Sequence, residues 1–155
     1  MKNSFKTVLS AVLVTGVMGV TVVTAHSTST GNAEADKRIQ MMKELGANMK
    51  AIAAVAKGEA AYSAALNENA KRIHEIAVMM PDLFPAGSDT DVDRAKPEIW
   101  TKAGEFTAVS KDFEQASAAL KAAVETGDQG KIGAALGATG KTCGGCHKPF
   151  REPKD

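Results

Sequence analysis

The 155-residue chain has few aromatics, only two cysteines and almost no net charge, and few of its segments show the apolar–polar alternation of β-strands. Each shortage excludes something. With 19 basic against 18 acidic residues there is no basic patch for a nucleic acid, and no polybasic tail for a membrane surface. Aromatics make up 5% of the chain, and Trp100 and Tyr62 are each alone of their kind, whereas alanine, the strongest helix former, is abundant. These features together predict an all-α protein. No internal repeat is present, and no low-complexity segment beyond a short polar stretch near the N-terminus.

One long apolar run exists, at the N-terminus. Lys2 and Lys6 precede an apolar stretch from Val8 to Val23, and Val23-Thr24-Ala25 supplies small residues before a cleavage point. Residues 1–25 therefore read as a secretory signal peptide. The competing reading is a transmembrane anchor, but the run is short and interrupted by Gly16 and Gly19. Removing the two lysines of that segment leaves 17 basic against 18 acidic residues, a net charge of −1. With no other sorting signal, the reading is export to a bacterial periplasm, with no stable membrane insertion after cleavage. Residues 26–32 form a polar, flexible leader, and 33–155 is one domain, long enough to bury its own core.

Within that domain the helical period recurs four times. The first helix begins near Ala33 with Asn32 as its cap, carries Ile39, Met42, Met49, Ile52 and Ala56 on one face, and stops at Gly58. The second runs from about Ala60 to Met80, with Tyr62, Ala65, Asn69, Ile73, Ile76 and Met80 on its apolar face, and Pro81 ends it. Asn69 is the polar exception there, a candidate for bonding a neighbouring helix or a second subunit. Pro81 to Lys96 is a long irregular connection anchored by Leu83-Phe84. The third helix opens at Pro97 and ends before Gly127, and the fourth starts after the cap Asp128. His26 and His74 read as solvated, and Met41, Met79 and Met80 as packing.

Chemistry concentrates in the last helix, at Cys143-Gly144-Gly145-Cys146-His147. Cys-x-x-Cys-His is the attachment sequence for a c-type haem. Residues three and four apart share a helical face, so both thiols and the imidazole project to one side. The thiols can become thioethers, Gly144 and Gly145 let a flat ring approach, and His147 can serve as proximal iron ligand. Competing readings are a disulfide and a thiol-disulfide redox pair; the latter belongs beside a βαβ pattern, which is missing. Ile132, Leu136, Thr139, Cys143, Cys146 and Phe150 are spaced 4-3-4-3-4, so the motif lies on the buried stripe and the haem inside the bundle.

The motif at the C-terminus of a four-helix chain resembles the class II cytochromes c, of which cytochrome c′ is the best-known type. The likeness covers the mature chain: Arg38-x-x-x-Met42-Lys43, Gly46-x-Asn48-Met49, Lys57-Gly58-Glu59, Leu83-Phe84-Pro85-Ala86-Gly87, Lys96-Pro97-Glu98-Ile99-Trp100, and Gly140-Lys141 leading to the haem motif and Phe150-Arg151. Class I cytochromes c are excluded, because no methionine follows His147. The resemblance implies an antiparallel up-down-up-down four-helix bundle enclosing one covalent haem c. It implies a non-enzymatic one-electron carrier, with an unidentified redox partner protein and a homodimer formed through the first two helices. In cytochrome c′-like members the residue at Met42 blocks the iron without binding it, leaving a five-coordinate centre open to nitric oxide (NO) or carbon monoxide (CO). In low-spin relatives the methionine here is the sixth ligand. A third reading is a gas-binding or NO-protective module in which electron transfer is incidental. By the same resemblance Arg38 contacts a haem propionate, Phe84 packs at the distal side, and Arg151 tunes the proximal imidazole. Position 39, often Gln in the family, is Ile here.

Overall fold

A computed structural model describes residues 29–154. The expected signal peptide, 1–25, and the first part of the leader lie outside the described residues.

Helix α1, Ala33–Ala56, begins where sequence predicts: the Asn32 side chain accepts from Ala35 N–H at 2.8 Å. It ends in a Schellman turn. Gly58, at φ +74°, donates to Val55 O, and Glu59 donates to Ala54 O. Helix α2, Leu66–Met79, starts later than the expected Ala60. Tyr62 leaves the helical path instead and packs across the turn at Gly127, where an added Cβ would meet its ring at 3.1 Å. Tyr62 and Ala65 are exposed, and the buried face of α2 is Leu66, Ala70, Ile73, Ile76 and Ala77. The expected third helix is broken at Lys102 into α3, Glu98–Thr101, and α4, Ala103–Glu125. The break sits beside Trp100, whose indole N–H donates to Pro85 O at 2.9 Å. Helix α5, Gln129–Phe150, starts at Asp128, whose carboxylate accepts from Lys131 N–H at 2.9 Å.

The four long helices close a ring: α1 packs on α2, α2 on α4, α4 on α5, and α5 back on α1. This is the antiparallel four-helix bundle, with α3 as a single turn leading into α4. Among the described residues there is no strand, only an isolated antiparallel bridge between Ala95 and Arg151. Ile52, Ile73, Ile76, Leu120, Val124 and Ile132 are fully enclosed between the helices. Each side chain of this size stabilises the fold by about 1.5–3 kcal/mol relative to exposure.

Polar contacts fix the helix registers. Asn69 donates to Asn48 Oδ1 at 2.8 Å, so this exception on α2 is satisfied within the bundle. His74, expected to be solvated, is instead partly buried, with Nδ1 3.0 Å from Ser117 Oγ on α4. Because the Ser117 hydroxyl donates to Glu114 O at 2.8 Å, the imidazole is the donor of that pair. Arg72 on α2 donates from Nε and Nη2 to the two Glu44 oxygens on α1, at 2.6 and 2.9 Å.

Those bonds from Arg72 hold the Glu44 carboxyl below its ordinary range. A carboxyl depressed in the folded state contributes stability above its unfolded pKa and loses it as pH falls through the folded pKa. Glu44→Gln should therefore be less stable than the parent to urea at neutral pH. The deficit should be no more than about 1 kcal/mol, because the pair is only partly buried. The gap should close in strong acid; a gap independent of pH would show that the pair contributes nothing through charge.

Candidate functional site

The C-terminal half of α5 carries the site. Ile132, Thr139 and Phe150 bury one stripe of this helix, and Cys143, Cys146 and His147 lie half-buried along the same side. Thr139, fully enclosed, anchors the stripe by donating to Ala135 O within α5 and to Ala116 O on α4. Both cysteines are free thiols, and the Cys143 Sγ donates to Thr139 O at 3.4 Å. Nothing lies within 4 Å of where a Cβ would stand on Gly144 or Gly145.

Three of the spaces that adjoin these side chains also reach Met42 on α1. One, about 40 Å³, is lined by Leu45, Met80, Ser110, Phe113, Cys143 and Cys146 among others. A second, about 80 Å³, lies toward Phe84, Ile99, Phe106 and Phe150. The third is a cleft of about 610 Å³ open to solvent, rimmed by Arg38, Lys43, Asp91, Asp93, Arg94 and Arg151. Met42, from α1, and His147, from α5, are the two residues that line all three. The sequence-predicted pair is thus brought together from opposite ends of the chain.

Arg38 is only 4% exposed. Its Nε donates to Asp93 Oδ2 at 2.7 Å, Nη1 to Ser88 Oγ at 3.0 Å and Leu83 O at 3.2 Å, and Nη2 to Ser88 O at 3.0 Å. Four of its five N–H groups are therefore engaged within the protein, and the guanidinium stacks over Phe84, 5.1 Å from the ring centroid. Asp93 and Ser88 were not singled out by sequence, since nothing distinguishes Asp93 from Asp89 and Asp91 in the same acidic run. Phe84 meets Phe106 and Trp100 edge to face, with centroids 4.9 and 6.0 Å apart. Arg151 is exposed on the cleft rim, its N–H donating to His147 O. Arg94, also missed from sequence, donates from its guanidinium to Glu152 O beside it.

Burial pushes both thiols above their ordinary pKa, Cys146 further helped by Cys143 and opposed by the Arg151 charge. Burial also lowers the His147 imidazole, and the Arg151 and Arg94 charges lower it further. Near neutral pH the site presents two protonated thiols and a neutral imidazole. A thiol-disulfide oxidoreductase needs the opposite, a thiol of depressed pKa in an electropositive, partly exposed setting. Among the described residues no group of three or more His, Cys, Asp or Glu side chains can hold a bare metal ion. The arrangement instead fits a planar cofactor that brings its own metal. It offers two thiols and an imidazole on one helix face, apolar walls around them, and charged groups along the open cleft, with the Arg38–Asp93 pair buried beside it.

A helical bundle with this site defines a protein of the c-type haem class. The family described as Cytochrome C' matches residues 33–151, and the chain belongs to it. The chain is 38% identical over 121 residues to the cytochrome c' of Pararhodospirillum photometricum, covering 77% of this chain and 97% of that protein. It is 37% identical over 122 residues to the cytochrome c-556 of Agrobacterium fabrum, covering 78% and 82% respectively. The crystal structure of cytochrome c' from Rubrivivax gelatinosus superposes with a TM-score of 0.70 at 32% identity, over 77% of this chain and 97% of that one. A nitric oxide complex of a cytochrome c prime variant from Alcaligenes xylosoxidans gives 0.72 at 28% identity, over 78% and 94%.

The buried Arg38–Asp93 pair yields a direct test. Removing one partner of a buried ion pair strands the other charge, at a cost of about 3–5 kcal/mol. Asp93→Ala should lose stability of that order in urea titrations. The double variant Arg38→Met with Asp93→Ala should recover part of it, because no buried charge is then left alone.

Proposed function

We propose that the chain is an exported, periplasmic haem protein that carries single electrons and binds NO or CO at a five-coordinate iron. It acts without catalytic residues of its own. Cys143 and Cys146 form the two thioethers to one haem c per chain, and His147 is the proximal ligand. The haem, when bound, supplies reversible one-electron exchange at its iron and an open coordination position for a diatomic ligand.

The observation that carries this reading is the pairing of Met42 with His147 across all three spaces of the site. His147 is held neutral by its buried setting, the form in which an imidazole binds a metal. Met42 stands opposite as an apolar side chain that crowds the distal side and keeps water out. Phe84, locked between Phe106 and Trp100, completes that wall. Arg38 keeps one N–H beyond its four internal bonds, available to a propionate at the cleft. Arg151 places positive charge near the imidazole, which disfavours its protonated, cationic form. The segment after α1 leaves Ala60, Ala61, Ala64 and Ala65 exposed, small residues that suit a homodimer contact beside the first two helices. No described helix is long and apolar enough to cross a membrane.

Absorption spectra of the purified protein, oxidised and reduced, with and without CO, test the reading. The expected result is haem that stays with the protein through acid-acetone extraction, and a high-spin ferrous form that takes up CO. Met42→Ala should leave the iron coordination unchanged and speed CO uptake. A six-coordinate spectrum with a methionine–iron band, lost in Met42→Ala, would make Met42 the sixth ligand and the protein a low-spin electron carrier. Haem released by extraction would overturn covalent attachment.

A further inference from the structure

Helix α5 contains no acidic residue from Gln129 to Phe150, although the other long helices mix both signs. Its lysines therefore lack the carboxylate three or four positions away that elsewhere neutralises a surface cation. Lys71 and Arg72 on α2 meet Glu68, Glu75 and Glu44, and Lys121 on α4 meets Glu125. Among the described residues no ion pair engages Lys96, Lys141, Lys148 or Arg151.

These four cations collect on one side of the molecule. Lys141 and Lys148, seven residues apart and both exposed, share the face of α5 turned away from Cys143 and Cys146. Lys148 and Arg151 border an open groove together with Lys96 from the connection before α3, Gly144, His147 and Glu152. Of the two thiols, Met42 and His147, only His147 reaches this groove, and Glu152 is the one carboxylate on it. Cations at a helix C-terminus also complement its dipole, which accounts for Lys148 and Arg151. It does not account for Lys141, two turns before the end, or for Lys96 on another segment.

The chain as a whole is close to neutral, so this excess is local, and a local field of one sign steers partners of the other. The surface suits a protein better than an anionic membrane. A groove admits a protruding acidic side chain, whereas a plane of headgroups passes over it. The exposed large hydrophobics among the described residues are Tyr62, Val78 and Val92, and none lines the groove, so it has no apolar side chain to enter a bilayer.

We propose that the basic face of α5 formed by Lys141, Lys148 and Arg151, with Lys96 beside it, is the docking surface for a redox partner protein bearing a carboxylate-rich patch. This rests on the one-electron reading above and gives the partner its chemistry. Docking there brings the partner to the helix end that carries His147, the proposed iron ligand.

The test compares the parent holoprotein with Lys141→Glu/Lys148→Glu and with Lys50→Glu/Lys131→Glu, the same charge change at the opposite end of the bundle. At low salt, labelled polyglutamate should bind the parent and the second variant, and lose about tenfold in affinity in the first. Ferricyanide, an anion, takes one electron from the ferrous protein and becomes ferrocyanide. Its rate should fall about tenfold in Lys141→Glu/Lys148→Glu, whereas the cationic oxidant tris(phenanthroline)cobalt(III) should react faster, which a change of driving force could not produce. These differences should vanish near 1 M salt, where charges are screened beyond about 3 Å. Equal effects in the two variants would show that net charge alone acts and would overturn the docking surface, leaving the proposed function standing. Phosphatidylglycerol vesicles that bind through Lys141 and Lys148, with no polyglutamate binding, would overturn it in favour of a membrane. Polyglutamate binding by a protein whose iron neither oxidant can oxidise would instead overturn the electron-carrier reading.

Discussion

Arg38 carries a charge into the interior, and that obligation shapes the site around it. Moving a guanidinium out of water costs several kcal/mol unless partners replace the solvent. Here they come from the connection between α2 and α3: Asp93 supplies the countercharge, and Ser88 and Leu83 supply oxygens. The connection is thereby fixed to α1. Its far end is fixed to the end of α5, where Lys96 N–H donates to Phe150 O and Glu152 N–H to Arg94 O. A single segment thus spans from the helix that carries Met42 to the helix that carries His147. The open cleft lies along this strap, lined by Asp91 to Ala95 between Met42 and His147.

The distribution of polarity follows from the same construction. Charged groups beside the site, Lys43, Asp91, Arg94 and Arg151, collect on the cleft rim, whereas the inner spaces are walled by Leu45, Met80, Phe106, Phe113 and Phe150. A flat cofactor with an apolar body and acidic substituents at one edge fits that gradient, body inward and acids at the rim. The same gradient accounts for the protonation of the α5 residues. Removed from water, the thiols stay protonated and the imidazole stays neutral, and the rim arginines deepen the effect on His147.

How much of this was legible beforehand depended on the range of the interaction. Periodicity and caps are local, so the bounds of α1 and α5, set by Asn32, Gly58 and Asp128, were readable directly. The start of α2 was not, because Tyr62 answers to Gly127, more than sixty residues away, rather than to its helical neighbours. The break at Lys102 was hidden for a similar reason: Trp100 bonds Pro85 across the site while the apolar period on either side continues unchanged. His74 looked solvated among Lys71, Arg72 and Glu75, and only the packing of α2 on α4 supplies Ser117. The Cys-x-x-Cys-His pattern is visible in five consecutive residues without any fold. Arg94 and Asp93 are not, because what distinguishes them is what they face.

That contrast bears on how one bundle can serve different haem chemistries. The cluster of Cys143, Cys146 and His147 is written into a short stretch of one helix, where spacing alone sets the geometry. The walls around these side chains are assembled from α1, the end of α2, the strap and α4, and none of these is constrained by a motif. Met42 is an unbranched side chain with three rotatable bonds, so its sulfur can reach toward the ring or fold away with little strain of its own. Its reach is set by where α1 sits, and α1 is held one turn earlier by the buried Arg38. Where Met42 stands relative to His147 therefore depends on the Arg38–Asp93 clamp as well as on the side chain at residue 42. A shift of that clamp would move Met42 relative to His147 without altering any residue from Cys143 to His147.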